Sequence, residues 1–90
     1  MKSHFEPVTV TTDKKGTPAR VVWRGRLFLV SRVVDRWRIG GQWWLGPMQA
    51  PRTYYRLEAR PVLERGQLND PRILEVFRQG KKWKLSDLCD

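Results

Sequence analysis

Residues 19–30 read ARVVWRGRLFLV. Two apolar runs, Val21-Val22-Trp23 and Leu27-Phe28-Leu29-Val30, flank Arg24-Gly25. β-branched and aromatic side chains fit a pleated, half-buried surface. A two-residue break that includes glycine is a hairpin signal, because the tightest turns need positive φ. Such a turn pairs Trp23 with Arg26, Val21 with Phe28 and Ala19 with Val30. Directly opposed residues share a face. One face therefore carries Ala19, Val21, Trp23, Phe28 and Val30 as a core stripe. The other carries Arg20, Val22, Leu27 and Leu29, which is half apolar. A bulge at Gly25 would alter this register.

Toward the N-terminus, residues 3–12 (SHFEPVTVTT) suit a first strand, at an edge because Pro7 cannot donate to a ladder. Asp13-Lys14-Lys15-Gly16 is a polar turn, and Thr17-Pro18 an extended entry to the next strand. Toward the C-terminus, the strand that begins at Leu27 runs to Val34. Asp35-Arg36-Trp37-Arg38-Ile39 then leads to a second turn at Gly40-Gly41. Gln42-Trp43-Trp44-Leu45 restarts strand-type sequence, and Gly46-Pro47 and Ala50-Pro51 bound a loop. Thr53–Ala59 is a fifth strand. Residues 70–80 admit two readings. Asp70 as N-cap, Pro71 at the first helical position and Gly80 as terminator fit a helix. Leu74–Phe77, Gln79-Gly80-Lys81 and Trp83-Lys84-Leu85 fit a hairpin, which Val76 and Phe77 favour. The expected fold is one all-β domain over residues 1–90. It is a small antiparallel barrel or strongly bent sheet of about six to seven strands, with at most one short helix.

Charge supplies the functional signal. Residues 19–60 hold nine arginines, no lysine and two acids, Asp35 and Glu58, a local balance of +7 within a chain of net charge +9. Four of the five tryptophans and both tyrosines lie in the same stretch. Interleaved arginine and aromatic residues point to a polyanion, and nucleic acid is the commonest. Arg24, Arg26, Arg36, Arg38, Arg52 and Arg56 are the candidate phosphate contacts. Trp37, with one of Trp43/Trp44 and one of Tyr54/Tyr55, is the candidate base-stacking set. Adjacent residues of a strand point to opposite faces, so each aromatic pair sends one member off the core face. The basic cluster Lys81-Lys82-Trp83-Lys84 reads as a solvated turn, with an extension of the binding surface as the alternative.

Nothing in the sequence supports catalysis, and the chain is expected not to be an enzyme. It has no HExxH, no GxSxG and no phosphate-binding glycine loop. One cysteine, Cys89, and one histidine, His4, offer no disulfide or zinc set. No metal and no cofactor are expected. Asp35 and Glu58 each lie near arginines and read as solvated ion pairs. The N-terminus lacks a signal-peptide apolar region, and the longest apolar run, Leu27–Val30, is too short to span a membrane. A cytoplasmic location is expected.

Trp23-Arg24-Gly25-Arg26 followed by Phe28 and Val30, then Trp37-Arg38, Trp43-Trp44, Tyr55-Arg56-Leu57-Glu58 and Trp83-Lys84-Leu85, form an ordered set over residues 17–90. This order resembles an uncharacterised bacterial family of small WRGR-containing domains. Its members stand alone or at the C-terminus of proteins similar to translesion DNA polymerases. The resemblance implies no established activity and no catalytic residues. It implies DNA repair by association only. The combined expectation is a non-catalytic nucleic-acid-binding accessory domain, with single-stranded DNA favoured and a repair polymerase as a possible partner. The alternative is a protein-interaction module that recruits a polymerase or repair factor.

Overall fold

The computed structural model describes residues 6–40, 51–67 and 69–89. Its strands are β1 (Glu6–Pro7), β2 (Thr9–Thr12), β3 (Pro18–Trp23), β4 (Arg26–Ile39), β5 (Arg52–Pro61), β6 (Arg72–Gln79) and β7 (Lys82–Cys89). All pairings are antiparallel, in the order β1-β7-β6-β5-β4-β3-β2. The helical reading of 71–79 gives way to strand β6. Among the described residues the only helical element is one 3-10 turn, Glu64–Gly66.

The β3–β4 hairpin has the register that its two-residue spacing requires: Val21 opposes Phe28 and Trp23 opposes Arg26. Arg24 and Gly25 both take positive φ, 51° and 74°. That combination matches the right-handed twist of the flanking strands. In the turn after β2, Asp13 Oδ1 accepts from the backbone N–H groups of Lys15 and Thr17, at 2.8 and 3.0 Å.

The sequence suggests that β4 stops near Val34. Instead it continues to Ile39 as one strand of 14 residues. Register shifts between Val30 and Arg32 and between Val33 and Asp35 leave Ser31 and Val34 as extra residues. Such bulges bend and twist a strand. The curvature lets a long hairpin wrap a small core instead of running flat.

β1 and β2 form the expected first strand, broken at Val8. Glu6 and Pro7 oppose Leu85 and Lys84 of β7, whereas Thr9–Thr11 oppose Val22–Arg20 of β3. Between them the Val8 N–H donates to the Trp83 carbonyl at 3.2 Å. One segment therefore joins both edges of the sheet and curls it into a barrel. Closure is incomplete, because β3 pairs β4 only as far as Leu29. Among the described residues, no strand pairs the outer edge of β4 beyond that point.

The core is Val21, Phe28, Tyr55, Leu57, Ala59, Leu74, Val76 and Leu85, with Trp23, Val30, Val33 and Trp83 packed against it. Along β5 the buried residues are Tyr55, Leu57, Ala59 and Pro61, an uninterrupted period of two. Phe77 is 1% exposed yet lies outside this cluster. It opposes Tyr54 across the ladder, on the outer side of the sheet, with ring centroids 5.1 Å apart. Tyr54 in turn stacks on Trp37 at 5.3 Å and 4°. This outer cluster is a second apolar centre, and each fully buried aromatic adds about 1.5–3 kcal/mol.

Candidate nucleic-acid interface

The cross-strand registers assign every charged side chain of β4–β7 to one side of the sheet. Asp35 opposes Arg56, Arg56 opposes Glu75 and Glu75 opposes Asp87. Directly opposed residues share a face. This row lies on the outer side, as does Glu58 opposite Arg32. The four acids of these strands are thus all on the outer side. There they meet cations: Arg32 Nε lies 3.4 Å from Glu58 Oε2, and Arg56 Nη2 lies 3.5 Å from Glu75 Oε2.

The core-facing side has the opposite balance. Arg36 opposes the buried Tyr55, Arg38 opposes Thr53, and Thr53 opposes Arg78, which opposes Trp83. Arg36, Arg38 and Arg78 therefore share the side that bears the core, at the end where the apolar residues stop. All three are exposed and none forms an ion pair among the described residues. Arg36, Arg38, Thr53, Arg78 and Trp37 line a hollow of about 470 Å³. Two of its arginines lie over aromatic rings: Tyr55 and Trp83 are 5.6 Å apart, with Arg36 over the Tyr55 ring at 5.8 Å and Arg78 over the Trp83 ring at 5.9 Å. Such guanidinium–ring contacts hold the arginines extended while leaving N–H donors for an anion.

The sequence candidates separate into groups. Arg36 and Arg38 stand at this hollow. Arg52 and Arg56 face outward: Arg52 lies over the Phe77 ring at 4.9 Å, and Arg56 lies over Trp37 at 5.3 Å besides pairing Glu75. Arg24 and Arg26 belong to the β3–β4 turn, by the far end of β5. Tyr55 is 6% exposed and belongs to the core, so it is no open platform for a base. Tyr54 is half-buried and engaged by Trp37 and Phe77. Trp43 and Trp44 lie outside the described residues.

Two residues of the hollow, Arg78 and Thr53, are absent from the sequence-derived set. A signal for Arg78 was available. Once 73–88 is a hairpin, Arg78 shares a face with Val76 and stands next to Trp83 on the partner strand. The choice between Tyr54 and Tyr55 had one as well: Tyr55, Leu57 and Ala59 share a parity that Tyr54, Arg56 and Glu58 do not.

The sheet and its faces define a class: a small, partly closed antiparallel β domain, with the four acids of β4–β7 on its outer side and a purely basic end on its core-facing side. The chain belongs to the family described as a domain of unknown function (DUF6504), which it matches over residues 1–89. No curated protein and no solved structure matches it.

Proposed function

We propose that the chain is a non-catalytic nucleic-acid-binding domain that uses the hollow between Arg36, Arg38 and Arg78, with single-stranded DNA as the favoured ligand and an accessory role in repair or replication. The segregation of charge carries this reading. Three arginines stand together on the core-facing side, where β4–β7 carry no carboxylate, whereas the outer arginines Arg32 and Arg56 are paired. Guanidinium groups suit phosphate because they offer N–H donors in a planar fork. Thr53 adds a hydroxyl, and Trp37 brings an aromatic ring to the lining. A single strand fits such a hollow because its bases are free to turn toward the protein.

The test is fluorescence anisotropy with a labelled single-stranded oligonucleotide at low salt. The wild-type chain binds, and Arg36→Gln, Arg38→Gln, Arg78→Gln together abolish most of that binding while the fold persists. A wild-type chain that leaves the oligonucleotide free rejects the reading. The second reading, a recruitment module for a polymerase or repair factor, is favoured by one observation. The edge of β4 beyond Leu29 is unpaired among the described residues and carries the exposed Val34 and Ile39. An extended segment of a partner adds to such an edge through main-chain hydrogen bonds, with an affinity that depends less on salt.

A further inference from the structure

The β6–β7 hairpin joins the hollow to a second groove. Arg38 opposes Thr53, Thr53 opposes Arg78 and Arg78 opposes Trp83. Opposed residues share a face, so these four form one row across β4, β5, β6 and β7. At about 4.8 Å between strands the row covers about 14 Å along the sheet. Its first three members line the hollow. Trp83 ends it: its ring lies beneath Arg78, and the same residue lines the groove beyond.

The groove exists because the first strand changes partners. The Val8 N–H donates to the Trp83 carbonyl at 3.2 Å, and from Thr9 onward the chain pairs β3. At Lys82, β7 pairs only β6 among the described residues. Between the diverging strands lies a groove of about 380 Å³, with Val8, Val10 and Trp83 in its apolar lining and Lys81, Lys82 and Lys84 as its cations. Lys81 and Lys82 are exposed and Lys84 is half-buried. None of the three forms an ion pair among the described residues. No carboxylate lines the groove or the hollow. Like charges gathered along a seam repel one another, and an anion laid along it relieves the repulsion.

We infer that the groove is the second half of a nucleic-acid track. A single strand seated at Arg36, Arg38 and Arg78 crosses Trp83 and continues between β2 and β7, where Lys81, Lys82 and Lys84 neutralise its next phosphates. This track rests on the reading of the hollow as an oligonucleotide seat. Cations on both sides of the Arg78–Trp83 pair select a polyanion long enough to lie over both, which a mononucleotide or free phosphate is not. The two halves grip differently. Arginines present planar forks, whereas a lysine ammonium on its flexible stem follows a backbone of variable geometry. At about 3.4 Å per stacked nucleotide the row holds about four. A strand of that length ends near Trp83, and a longer one enters the groove.

Fluorescence anisotropy with labelled thymidine oligonucleotides of four and ten nucleotides tests the track. The tetramer binds the wild-type chain and the Lys81→Gln, Lys82→Gln, Lys84→Gln variant equally. The decamer binds the wild-type chain more tightly than its larger number of registers explains, and the variant keeps only that statistical gain. Loss of three phosphate contacts flattens the decamer's slope of log K against log salt by about 2, at about 0.7 per contact, and leaves the tetramer's slope unchanged. If the triple variant does not fold, Lys81→Gln with Lys82→Gln, both exposed, carries the comparison with a change of about 1.4. A decamer that gains nothing beyond its registers, or a lysine variant that binds it as the wild type does, overturns the track and leaves the hollow standing. A wild-type chain that binds neither oligonucleotide overturns both. A ten-residue oligoglutamate is the control for an acidic partner. If it binds the wild-type chain more tightly than the decamer does and loses that binding in the lysine variant, the groove is a protein seat and the track is overturned.

Discussion

At the scale of single residues, backbone conformation makes the sharpest demand at the β3–β4 turn. A Cβ placed on Gly25 meets nothing within 4 Å, and its φ is +74°. The cost of a side chain there is therefore backbone strain without a clash. Gly25→Val should destabilise by about 1–3 kcal/mol in chemical denaturation, and Gly25→Asn by clearly less, because asparagine tolerates positive φ. Equal losses for the two variants would point to contacts instead. This position was legible in the sequence, since a two-residue turn between apolar runs leaves few conformations. Glu6 was not legible as a partner of Trp23 and Arg24. Its role depends on bringing the first strand beside the hairpin, which no local pattern encodes.

Among the elements, β4 decides where the chemistry stands. From Phe28, strict alternation would face Val30, Arg32 and Val34 inward. The extra residues Ser31 and Val34 instead put Val33 in the core and leave Arg32 outside with Glu58. Two shifts restore the original parity, so Arg36 and Arg38 return to the core-facing side and Trp37 to the outer one. A lone bulge would have exchanged them. Bulges carry no strong compositional signature, which is why the continuous strand was unreadable beyond Val34 although its segments were recognised. The outer aromatics depend on this parity. Phe77→Ala should cost about 3–5 kcal/mol, as truncation of a buried aromatic does. Trp37→Ala should cost about 1–3 kcal/mol, since Trp37 is only half-buried but loses its stack on Tyr54. If the hollow is the binding surface, oligonucleotide affinity measured well below the melting transition changes less in Phe77→Ala than in Arg38→Ala. The reverse order would move the interface to the outer side.

For the whole molecule, unequal charge on the two sides of one sheet has a measurable signature. Each phosphate contact to a single strand contributes about −0.7 to the slope of log K against log salt. Replacing Arg36, Arg38 and Arg78 by glutamine should therefore flatten that slope by about 2, whereas Arg32→Gln with Arg56→Gln should leave it nearly unchanged. The same triple replacement should leave the melting temperature level or raise it, because three like charges without acid partners repel one another. A pronounced drop on heating would mark them as structural. All-β class, strand number and the core of the first hairpin were visible in the sequence through periodicity. The joining of both sheet edges by a single segment was not, because it depends on pairings between distant parts of the chain. That joining has a consequence for synthesis. Glu6 opposes Leu85, so almost the whole chain lies between two neighbours in space. Non-local pairing forms late, since loop closure precedes its reward. On the ribosome, the meander from β2 to β6 is free to assemble as it emerges, but β1 has no seat until β7 has left the exit tunnel. β1, made before the other six strands, is then the last of them to be placed.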